Sequence, residues 1–432
     1  MNTLKQQNKL TPVADVDIAV IGGGVVGCGV VRRLALEGAS TVLLEKATDI
    51  LDGASKGNSA ILHTGFDAPP GSLEWECVRK GHAEYLEIHE SLNLPLLKTG
   101  ALVTAWTEEE EERLEEVLQK GLNNGIEDLK LLSRSEILKK EPHLAGNVRA
   151  AIHVPREYVI DPWSAPLAYL LQAVENGGKA LFNAEVTGGE FDGSHWTLKT
   201  ARGWVRARHV INCAGLYGDI VDHAVLGDSE FTIKPRKGQF VVFDMAAAKL
   251  VNSVILPVPS ERTKGIVLFP TIFGNMMVGP TAEEQDSRDD ASVDSQTLEM
   301  LSKKAVTMLP ALAEMPVTAT YAGIRPATER KEYRVIQDSE RNWITLGGIR
   351  STGLTSALGL AHHVLDLLQN MGAQFAGRTN PKVPRVPNLA EHLPRDCHKP
   401  GYGEIVCHCE MVTRREIEAA LGEKSRQAAL RV

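Results

Sequence analysis

The sequence predicts an α/β protein: a doubly wound, Rossmann-like domain assembled from discontinuous segments, plus a mainly antiparallel β domain with helices. Three observations predict this fold class. The chain opens with a strand, a glycine-rich turn, a helix and a second strand. Short strand-like segments separated by polar residues fill its middle. A buried strand followed by a long helix returns far from the N-terminus. The doubly wound domain must therefore draw on both ends of the chain.

The opening segment has β-α-β order. Residues 17–21 (DIAVI) predict a buried parallel strand, residues 25–36 the helix after it, and residues 40–45 (STVLLE) a second strand. Residues 1–15 are polar and lack an apolar core, so they predict a disordered tail rather than a signal peptide.

The middle of the chain mixes helices with short strands. Residues 107–122 predict a solvated amphipathic helix with Thr107 as its N-cap, and residues 161–178 predict a helix that ends in glycines. Strand-like pieces follow: KALFNAEV, WTLKT, GWVRARHVINCAG, KGQFVVFD, GIVLFP and NMMVGP. They predict a largely antiparallel sheet. Residues 343–348 then return to a buried strand, and residues 354–371 predict a strong helix.

Composition narrows the function classes. The 432 residues carry a net charge of −8, which argues against a general nucleic-acid binder. The sequence lacks the run of roughly 18 apolar residues that a membrane span needs. The cysteines do not resemble a disulfide framework, and Cys28, Cys77 and Cys213 are predicted to pack as small apolar residues. A reducing, cytoplasmic setting fits these features.

The turn GGGVVG predicts a dinucleotide site. Gly22 permits the tight turn, Gly24 lets a pyrophosphate approach the backbone, and Gly27 allows the helix to pack on the sheet. Glu45, at the end of the second strand, suits both ribose hydroxyls and would repel a 2′-phosphate. The motif alone leaves NAD and FAD open.

Two later segments favour FAD. The loop DGASKGNSAILHTGFDAPPGSLE follows the ribose strand, where NAD-binding folds normally continue into a helix. The segment GGIRSTGLTSALGLAHHVL places a helix N-terminus where it would stabilise a reduced flavin, which carries negative charge on its pyrimidine side.

The sequence resembles the FAD-dependent D-amino-acid oxidase superfamily, in the branch that includes glycerol-3-phosphate and L-2-hydroxyglutarate dehydrogenases. The matching pieces span residues 16–375 in the family's order: GGGVVG with LLEK, GNSAILHTGF, VINCAGLYGD, KPRKGQFVVFD, YAGIRPATE and GGIRSTGLTSALGLA. Six ordered matches are far more specific than any single one.

The resemblance implies which residues bind FAD. Those expected to hold the ADP half are Gly22, Gly24, Gly27, Glu45 and Lys46; those lining the pyrophosphate and ring are Ser55, Asn58 and Ser59; those closing on the nucleotide are Ala214 and Gly215; and those near the flavin are Gly348, Gly353, Leu354 and Thr355.

The resemblance also implies a reacting centre. His63 falls where relatives of the hydroxy-acid and glycerol-phosphate type keep a histidine beside the flavin; it is a candidate base, and ordering of the loop is the alternative. Arg325 matches the superfamily's anion-holding arginine, with a structural ion pair as the alternative. Arg350 is a further candidate for substrate contact. Arg236, Lys237 and Lys264 are interpreted as surface charge, with a wider phosphate site as the alternative.

The C-terminus resembles the first half of a BFD-like [2Fe-2S] domain. Such a cluster needs four thiolates. Cys407 and Cys409 match the first cysteine pair, but the sequence contains no second pair, and Cys397 lies in a proline-rich stretch. The prediction is an incomplete half-site, with no cluster built by this chain alone.

The predicted domain organisation has five parts. They are a tail (1–15), an FAD-binding domain (16–95, 146–228 and 326–375), a substrate domain (96–145 and 229–325), a proline-rich linker (376–404) and a truncated iron–sulfur segment (405–432).

These features predict a cytoplasmic FAD-dependent dehydrogenase of a small anionic secondary alcohol, with hydride transfer to flavin. The first substrate expected is sn-glycerol 3-phosphate, giving dihydroxyacetone phosphate. An L-2-hydroxy-acid dehydrogenase, an amino-acid or amine oxidase, and a non-catalytic subunit of an electron-transfer complex stay open. A quinone or electron-transfer subunits are expected to accept the electrons, with peripheral association at the inner face of a membrane as an alternative location.

Overall fold

The computed structural model describes residues 12–259, 265–388, 390, 396–401, 404–408, 411–419 and 421. The chain divides into two compact units, Met1–Leu389 (unit 1) and Ala390–Val432 (unit 2).

Residues 414–419 of unit 2 are helical. The other α-helices assigned within the described residues belong to unit 1. They are α1 (Val25–Leu36), α2 (Leu73–Ile88), α3 (Glu108–Glu112), α4 (Leu114–Asn123), α5 (Arg134–Lys140), α6 (Ser164–Glu175), α7 (Gly218–Leu226), α8 (Ser295–Met308) and α9 (Gly353–Asn370).

The strands of unit 1 are β1 (Ala14–Ile21), β2 (Thr41–Leu44), β3 (Ile61–Leu62), β4 (Leu96–Leu97), β5 (Ala101–Ala105), β6 (Lys130–Ser133), β7 (Ala150–Val154), β8 (Tyr158–Ile160), β9 (Lys179–Leu181), β10 (Val186–Phe191), β11 (Trp196–Thr200), β12 (Gly203–Asn212), β13 (Ile233–Phe243), β14 (Val254–Pro257), β15 (Val267–Pro270), β16 (Met276–Gly279), β17 (Glu283–Glu284), β18 (Val317–Thr328), β19 (Arg334–Asp338) and β20 (Trp343–Gly347). Unit 2 contains the short hairpin β21 (Ile405–Cys407) and β22 (Val412–Thr413).

An eight-stranded sheet forms the doubly wound part of the fold. Strands β9, β2, β1, β12 and β20 are parallel neighbours in that order, and β10, β11 and β19 add antiparallel edges. The parallel strands come from both ends of unit 1, as the sequence predicted. Their carboxyl ends, where such folds bind ligands, meet beside the first glycine turn.

A nine-stranded sheet forms the second layer. It runs β17-β13-β16-β15-β14-β5-β7-β6, with β18 paired antiparallel to β13 along almost its full length. Its pairs are antiparallel except β14 with β5. A small sheet, β3-β8-β4, is also antiparallel. The predicted fold class is therefore confirmed.

Two local predictions differ from the structure. GWVRARHVIN was predicted within the antiparallel middle, yet β12 pairs parallel with β1, and only its first half pairs antiparallel with β11. The helix predicted over residues 107–122 is divided into α3 and α4 at Arg113. Thr107 is its N-cap as predicted, in a capping box with Glu110.

The proline-rich segment 376–388 is extended and packs against the rest of unit 1. Arg378 donates from Nε to the carbonyl of Ala35 (2.9 Å), and Asn93 donates from Nδ2 to the carbonyl of Val386 (2.8 Å). The side chain of Val386 is buried in the same core as α1 and α9. This segment is therefore an ordered part of unit 1; the other predicted domain boundaries within the unit stay predictions.

Among the described residues, the structure has no helix that combines the length and the apolar character of a membrane span.

Candidate active site

A cavity of about 1060 Å³ lies at the carboxyl ends of the parallel strands. Its walls come from the turn after β1, the loop after β2, the end of β12, strands β13 and β18, and the N-terminus of α9. Ligand pockets typically measure about 300–1,000 Å³, so this cavity is large enough for an extended ligand together with a small substrate.

The first wall is the glycine turn between β1 and α1. Gly22 has φ +105°, and a Cβ on it would lie 2.6 Å from the carbonyl oxygen of Cys213, at the end of β12. A side chain on Gly27 would collide with the carbonyl of Gly22, so α1 approaches the strand closely. Gly24 caps α1 without a side-chain bond, and its Cβ position faces Ser55 Oγ. The turn thus presents bare backbone to the cavity, as a phosphate site requires.

Glu45 fixes this turn. Its Oε2 accepts a 2.6 Å hydrogen bond from the Gly23 amide, and its Oε1 accepts one of 2.8 Å from Ala47. A carboxylate has about four acceptor positions, so the group retains acceptors for ribose hydroxyls. Next to it, the ammonium of Lys46 lies 3.4 Å from the centroid of the Tyr217 ring.

The loop after β2 forms the second wall. Ser55 Oγ accepts from the Val25 amide at 3.0 Å, at the N-terminus of α1. Asn58 orders the loop itself: its Nδ2 donates to Ser55 O at 2.7 Å, and its Oδ1 accepts from the Ala60 amide at 2.7 Å. Ser59 also lines the cavity.

Two glycines bring this loop against β18. A Cβ on Gly57 would lie 2.5 Å from the Cα of Gly323, so the two backbones touch without intervening side chains. Tyr321 closes the same contact by donating from its hydroxyl to the carbonyl of Asn58 at 2.8 Å. The loop and the strand that carries Arg325 therefore form one wall.

The N-terminus of α9 closes the cavity. Predicted cofactor residues at this end and beside β12 all line it: Ala214, Gly215, Gly348, Gly353, Leu354 and Thr355. Gly348 has φ +68°, which favours glycine. Thr352, the N-cap residue of α9, makes no side-chain cap bond to the helix, which leaves amides directed at a ligand.

Positive charge is concentrated in one part of the cavity wall. Arg325 on β18 and Arg236 on β13 are direct cross-strand partners, and both line the cavity with Arg350. Burial, followed by the charges of Arg236 and Arg350, lowers the pKa of Arg325 to about 10. Glu284 accepts from Arg236 Nε at 2.7 Å, while Arg325 Nη2 donates to the carbonyl of Thr281 at 2.9 Å. Like charges opposed across a sheet are unfavourable, so the arrangement favours an anionic ligand.

His63 lies on the cavity wall just after β3. Its amide donates to Thr355 Oγ1 at 3.0 Å, and this hydroxyl donates in turn to the carbonyl of Ile61 at 3.2 Å. The imidazole Nδ1 lies 3.0 Å from Oε2 of Glu157, whose side chain is 0 % exposed. The histidine is therefore fixed both at its backbone and at one ring nitrogen.

The structure brings nearly all predicted site residues together. Gly22, Gly24, Glu45, Lys46, Ser55, Asn58, Ser59, His63, Ala214, Gly215, Arg325, Gly348, Arg350, Gly353, Leu354 and Thr355 all line one cavity, and Gly27 packs directly behind the turn. Sequence reasoning missed Glu157 and the cavity-lining Tyr333, which no motif marks. It also placed Arg236 at the surface, although Arg236 lines the cavity.

The cysteines fall into two groups. Cys28, Cys77 and Cys213 are buried free thiols, as the sequence predicted. Cys397 and Cys407 belong to unit 2 and are half-exposed free thiols. Cys409 lies outside the described residues, as does Lys264, and the incomplete iron–sulfur half-site stays a prediction.

This fold and site define an FAD-dependent oxidoreductase. The family model described as FAD dependent oxidoreductase matches residues 17–367, and the chain belongs to this family. The resemblance predicted from the sequence is confirmed.

Individual relatives agree with the family. The chain is 31% identical over 417 residues to a glycerol 3-phosphate dehydrogenase from Caloramator mitchellensis, covering 94% of this chain and 86% of the relative. It is 31% identical over 282 residues to the human mitochondrial L-2-hydroxyglutarate dehydrogenase, covering 62% and 60%. A solved structure of dithionite-reduced L-alpha-glycerophosphate oxidase from Mycoplasma pneumoniae with FAD bound superposes with a TM-score of 0.79, at 27% identity, covering 87% of this chain and 100% of that one.

The residues present fit FAD. Gly22 holds the turn at a positive φ that favours glycine, the N-terminus of α1 lines the cavity, and Glu45 lines it with a carboxylate that would suit ribose hydroxyls. The glycine turn, the loop after β2 and the N-terminus of α9 surround one continuous space of sufficient size. The protein is an FAD-dependent oxidoreductase.

Proposed function

We propose that the protein oxidises a small secondary alcohol bearing an anionic group, sn-glycerol 3-phosphate first, to dihydroxyacetone phosphate. The observation that carries this proposal is the presence of His63 and the opposed pair Arg325 and Arg236 in the same cavity as the dinucleotide turn. Similarity to proteins named glycerol 3-phosphate dehydrogenase and glycerophosphate oxidase supports the substrate.

The chain's own residues divide the work of the reaction. Arg325 and Arg236 bind the phosphate, and Arg325 offers the planar fork that suits such an anion. His63 accepts the proton of the hydroxyl group as the carbonyl forms. FAD, when bound, supplies the acceptor for the hydride that leaves the carbon bearing this hydroxyl group. Because the substrate is bound in one orientation, proton transfer and hydride transfer both take place within a single complex.

The electron acceptor and the location belong to the same proposal. We infer that electrons pass on to a quinone or to electron-transfer subunits, and that the protein works in the cytoplasm, free or at the inner face of a membrane. Resemblance of the C-terminus to an iron–sulfur segment supports the choice of acceptor. Reoxidation of the reduced protein by a soluble quinone analogue, measured against reoxidation by oxygen, tests it.

The decisive experiment is anaerobic bleaching of the bound flavin. The holoprotein is mixed with glycerol 3-phosphate, L-2-hydroxyglutarate, lactate, glycine or D-alanine, and flavin absorbance is followed. We expect glycerol 3-phosphate to bleach the flavin fastest. Bleaching by an amino acid alone would contradict the proposal, and the absence of bleaching by any of them would favour a non-catalytic flavoprotein subunit.

An L-2-hydroxy-acid is the second candidate substrate. The guanidinium of Arg325 suits a carboxylate as well as a phosphate, and the human relative is an L-2-hydroxyglutarate dehydrogenase. The same panel separates the two candidates, because either glycerol 3-phosphate or L-2-hydroxyglutarate should bleach the flavin much faster than the other.

A further inference from the structure

We propose that Glu157 is a positioning residue for His63: its buried carboxylate keeps the proton of the neutral imidazole on Nδ1, so that Nε2 is the nitrogen that receives the substrate proton. This inference rests on the proposed role of His63 as base. It assigns a part in the reaction to a residue that no sequence motif marks.

Strand pairing brings the two residues together. Strands β3 and β8 are antiparallel, with Ile61 opposite Val159 and Leu62 opposite Tyr158. One further step along this register places His63 opposite Glu157. The resulting distance between Nδ1 and Oε2 is 3.0 Å, which is hydrogen-bonding distance. The pair is therefore a consequence of backbone pairing as well as of side-chain rotamers.

The second oxygen of the carboxylate fixes its orientation. Oε1 of Glu157 accepts from the amide of Thr64 at 2.6 Å and from its hydroxyl at 2.7 Å. These two donors leave Oε2 directed at the imidazole. Because a buried ionised carboxylate needs such partners, the group is held in one geometry rather than sampling several.

The turn that carries Glu157 is itself anchored on both sides. Arg156 forms a two-bond ion pair with Asp128, at 2.9 Å for each bond, and its carbonyl accepts from His82 Nε2 at 2.9 Å. On the other side of the pair, the His63 amide is bonded to Thr355. Neither partner can move away without breaking several contacts.

The chemistry follows from this geometry. A carboxylate at Nδ1 favours the tautomer in which Nδ1 carries the proton, which leaves the lone pair on Nε2. When Nε2 takes the hydroxyl proton, the ring becomes positively charged and the adjacent carboxylate stabilises that charge. Glu157 thus acts through His63 and need not contact the substrate.

The test begins with the ¹⁵N NMR spectrum of the holoprotein that contains ¹⁵N-labelled histidine, which shows which ring nitrogen carries a proton. A His63→Asn variant identifies the His63 signals by their disappearance. We expect Nδ1 to carry the proton in the parent protein, and we expect this preference to be lost in Glu157→Gln. Protonation of His63 on Nε2 in the parent would overturn the inference, whether or not Glu157→Gln folds.

A kinetic cycle supplies the second readout. With the panel substrate that reduces the parent flavin, Glu157→Gln should lower the limiting rate of reduction by about 10²- to 10³-fold, while the substrate concentration for half-maximal rate changes little. In the His63→Asn background the same change should have no further effect. Equal slowing in both backgrounds would show that Glu157 acts on the fold instead of on His63.

Thr64→Val is a graded variant. It removes one of the two donors that orient Glu157 but keeps the Thr64 amide donor and the bond to His63, so reduction should slow much less than in Glu157→Gln. Flavin content and thermal midpoint are recorded for each variant. Failure of glycerol 3-phosphate to bleach the parent would overturn the proposed substrate, whereas the spectrum of His63 would still decide the role of Glu157.

Discussion

At the scale of single residues, Arg325 is the side chain to which we assign recognition of the anion. It lies half-buried, opposite Arg236, and the burial and neighbouring charges that lower its pKa to about 10 also make an anion the natural third partner. Two arginines opposed across a sheet are unfavourable by themselves. Glu284 already offsets part of this repulsion at Arg236, and the proposed phosphate or carboxylate would offset more of it.

Replacing Arg325 by lysine should weaken substrate binding. Lysine keeps the charge but loses the planar fork, so we expect KM for the anionic substrate to rise by about tenfold to a hundredfold. Steady-state kinetics with an artificial acceptor measure it. Lys237→Ala is the control, because adjacent strand residues point to opposite faces and Lys237 follows the cavity-lining Arg236. A similar loss in both variants would contradict a specific role for Arg325.

Replacing Gly22 by alanine should abolish FAD binding. The residue has φ +105°, and its new Cβ would lie 2.6 Å from the Cys213 carbonyl, so the turn must shift. We expect the purified variant to be colourless. Gly193→Ala is the matched control: Gly193 also has a positive φ, but a Cβ there meets nothing within 4 Å, so that variant should lose about 1–2 kcal/mol of stability and keep its flavin.

Sequence reasoning located cavity residues whose predicted chemistry is local. Gly22, Glu45 and Thr355 belong to short patterns that a single segment contains, and the structure places them on one cavity. Glu157 could not be predicted, because its partner is created by the pairing of β3 with β8 across 94 positions of sequence. Arg236 was placed at the surface because its cross-strand neighbour is equally remote in sequence.

At the scale of elements, a buried ion cluster joins α1, α2 and α9. Glu84 on α2 accepts from Arg32 (2.6 Å) and Arg33 (2.8 Å) on α1, and lies 2.9 Å from His362 Nε2 on α9. Burial alone would raise the pKa of Glu84, but its bond to His362 and the two arginines together lower it to about 2. The three helices α1, α2 and α9 are therefore coupled through one carboxylate.

This cluster predicts acid-sensitive stability. Because the pKa of Glu84 is lowered on folding from 4.5 to about 2, its contribution is present above pH 4.5 and is lost as the pH falls from there toward 2. The shift corresponds to stabilisation of about 3 kcal/mol. Urea unfolding measured from pH 7 down to pH 3 should show about 2 kcal/mol of this loss, because pH 3 is still above the pKa of the folded state.

Glu84→Gln checks the assignment. The variant leaves the buried Arg32 without its charged partner, so we expect it to be less stable than the parent at pH 7 by about 3–5 kcal/mol. The difference between parent and variant should shrink as the pH falls. A constant difference across the whole range would place the acid sensitivity in another group.

The bounds of single helices were more predictable than the pairing of strands. Helices α1 and α9 follow from apolar periodicity and turn residues, and their bounds agree closely with the prediction. The pairing of β12 with β1 was not evident, since a strand's own sequence does not specify whether its neighbour runs parallel. The parallel direction of β12 relative to β1 is set by tertiary structure.

At the scale of the whole molecule, the residues assigned to FAD lie between positions 22 and 355, within unit 1. A chain ending at Asn388 should therefore fold, bind FAD and be reduced by substrate at the parent rate. Flavin content and anaerobic bleaching measure this. Loss of colour would show that unit 2 contributes to cofactor binding.

Ending the chain earlier, at Met371, should have a different outcome. It removes Val386, whose side chain is 1 % exposed in the core shared by α1 and α9, and the bond from Asn93 to its carbonyl. Burial of a valine side chain is worth about 1.5–3 kcal/mol, so the shorter chain should melt at a lower temperature. Equal melting of the two shortened chains would contradict a structural role for residues 372–388.

The contact between Gly57 and Gly323 limits how this enzyme could acquire new substrates. Arg325 lies two residues beyond Gly323 on the same strand, so main-chain contact sets the spacing between the loop after β2 and the side chain proposed to bind the anion. Neither backbone can yield toward the other. A longer or shorter anionic substrate must therefore be accommodated by changing side chains, because the distance between the loop and β18 is fixed. Variants that shift β18 would also weaken the binding of FAD.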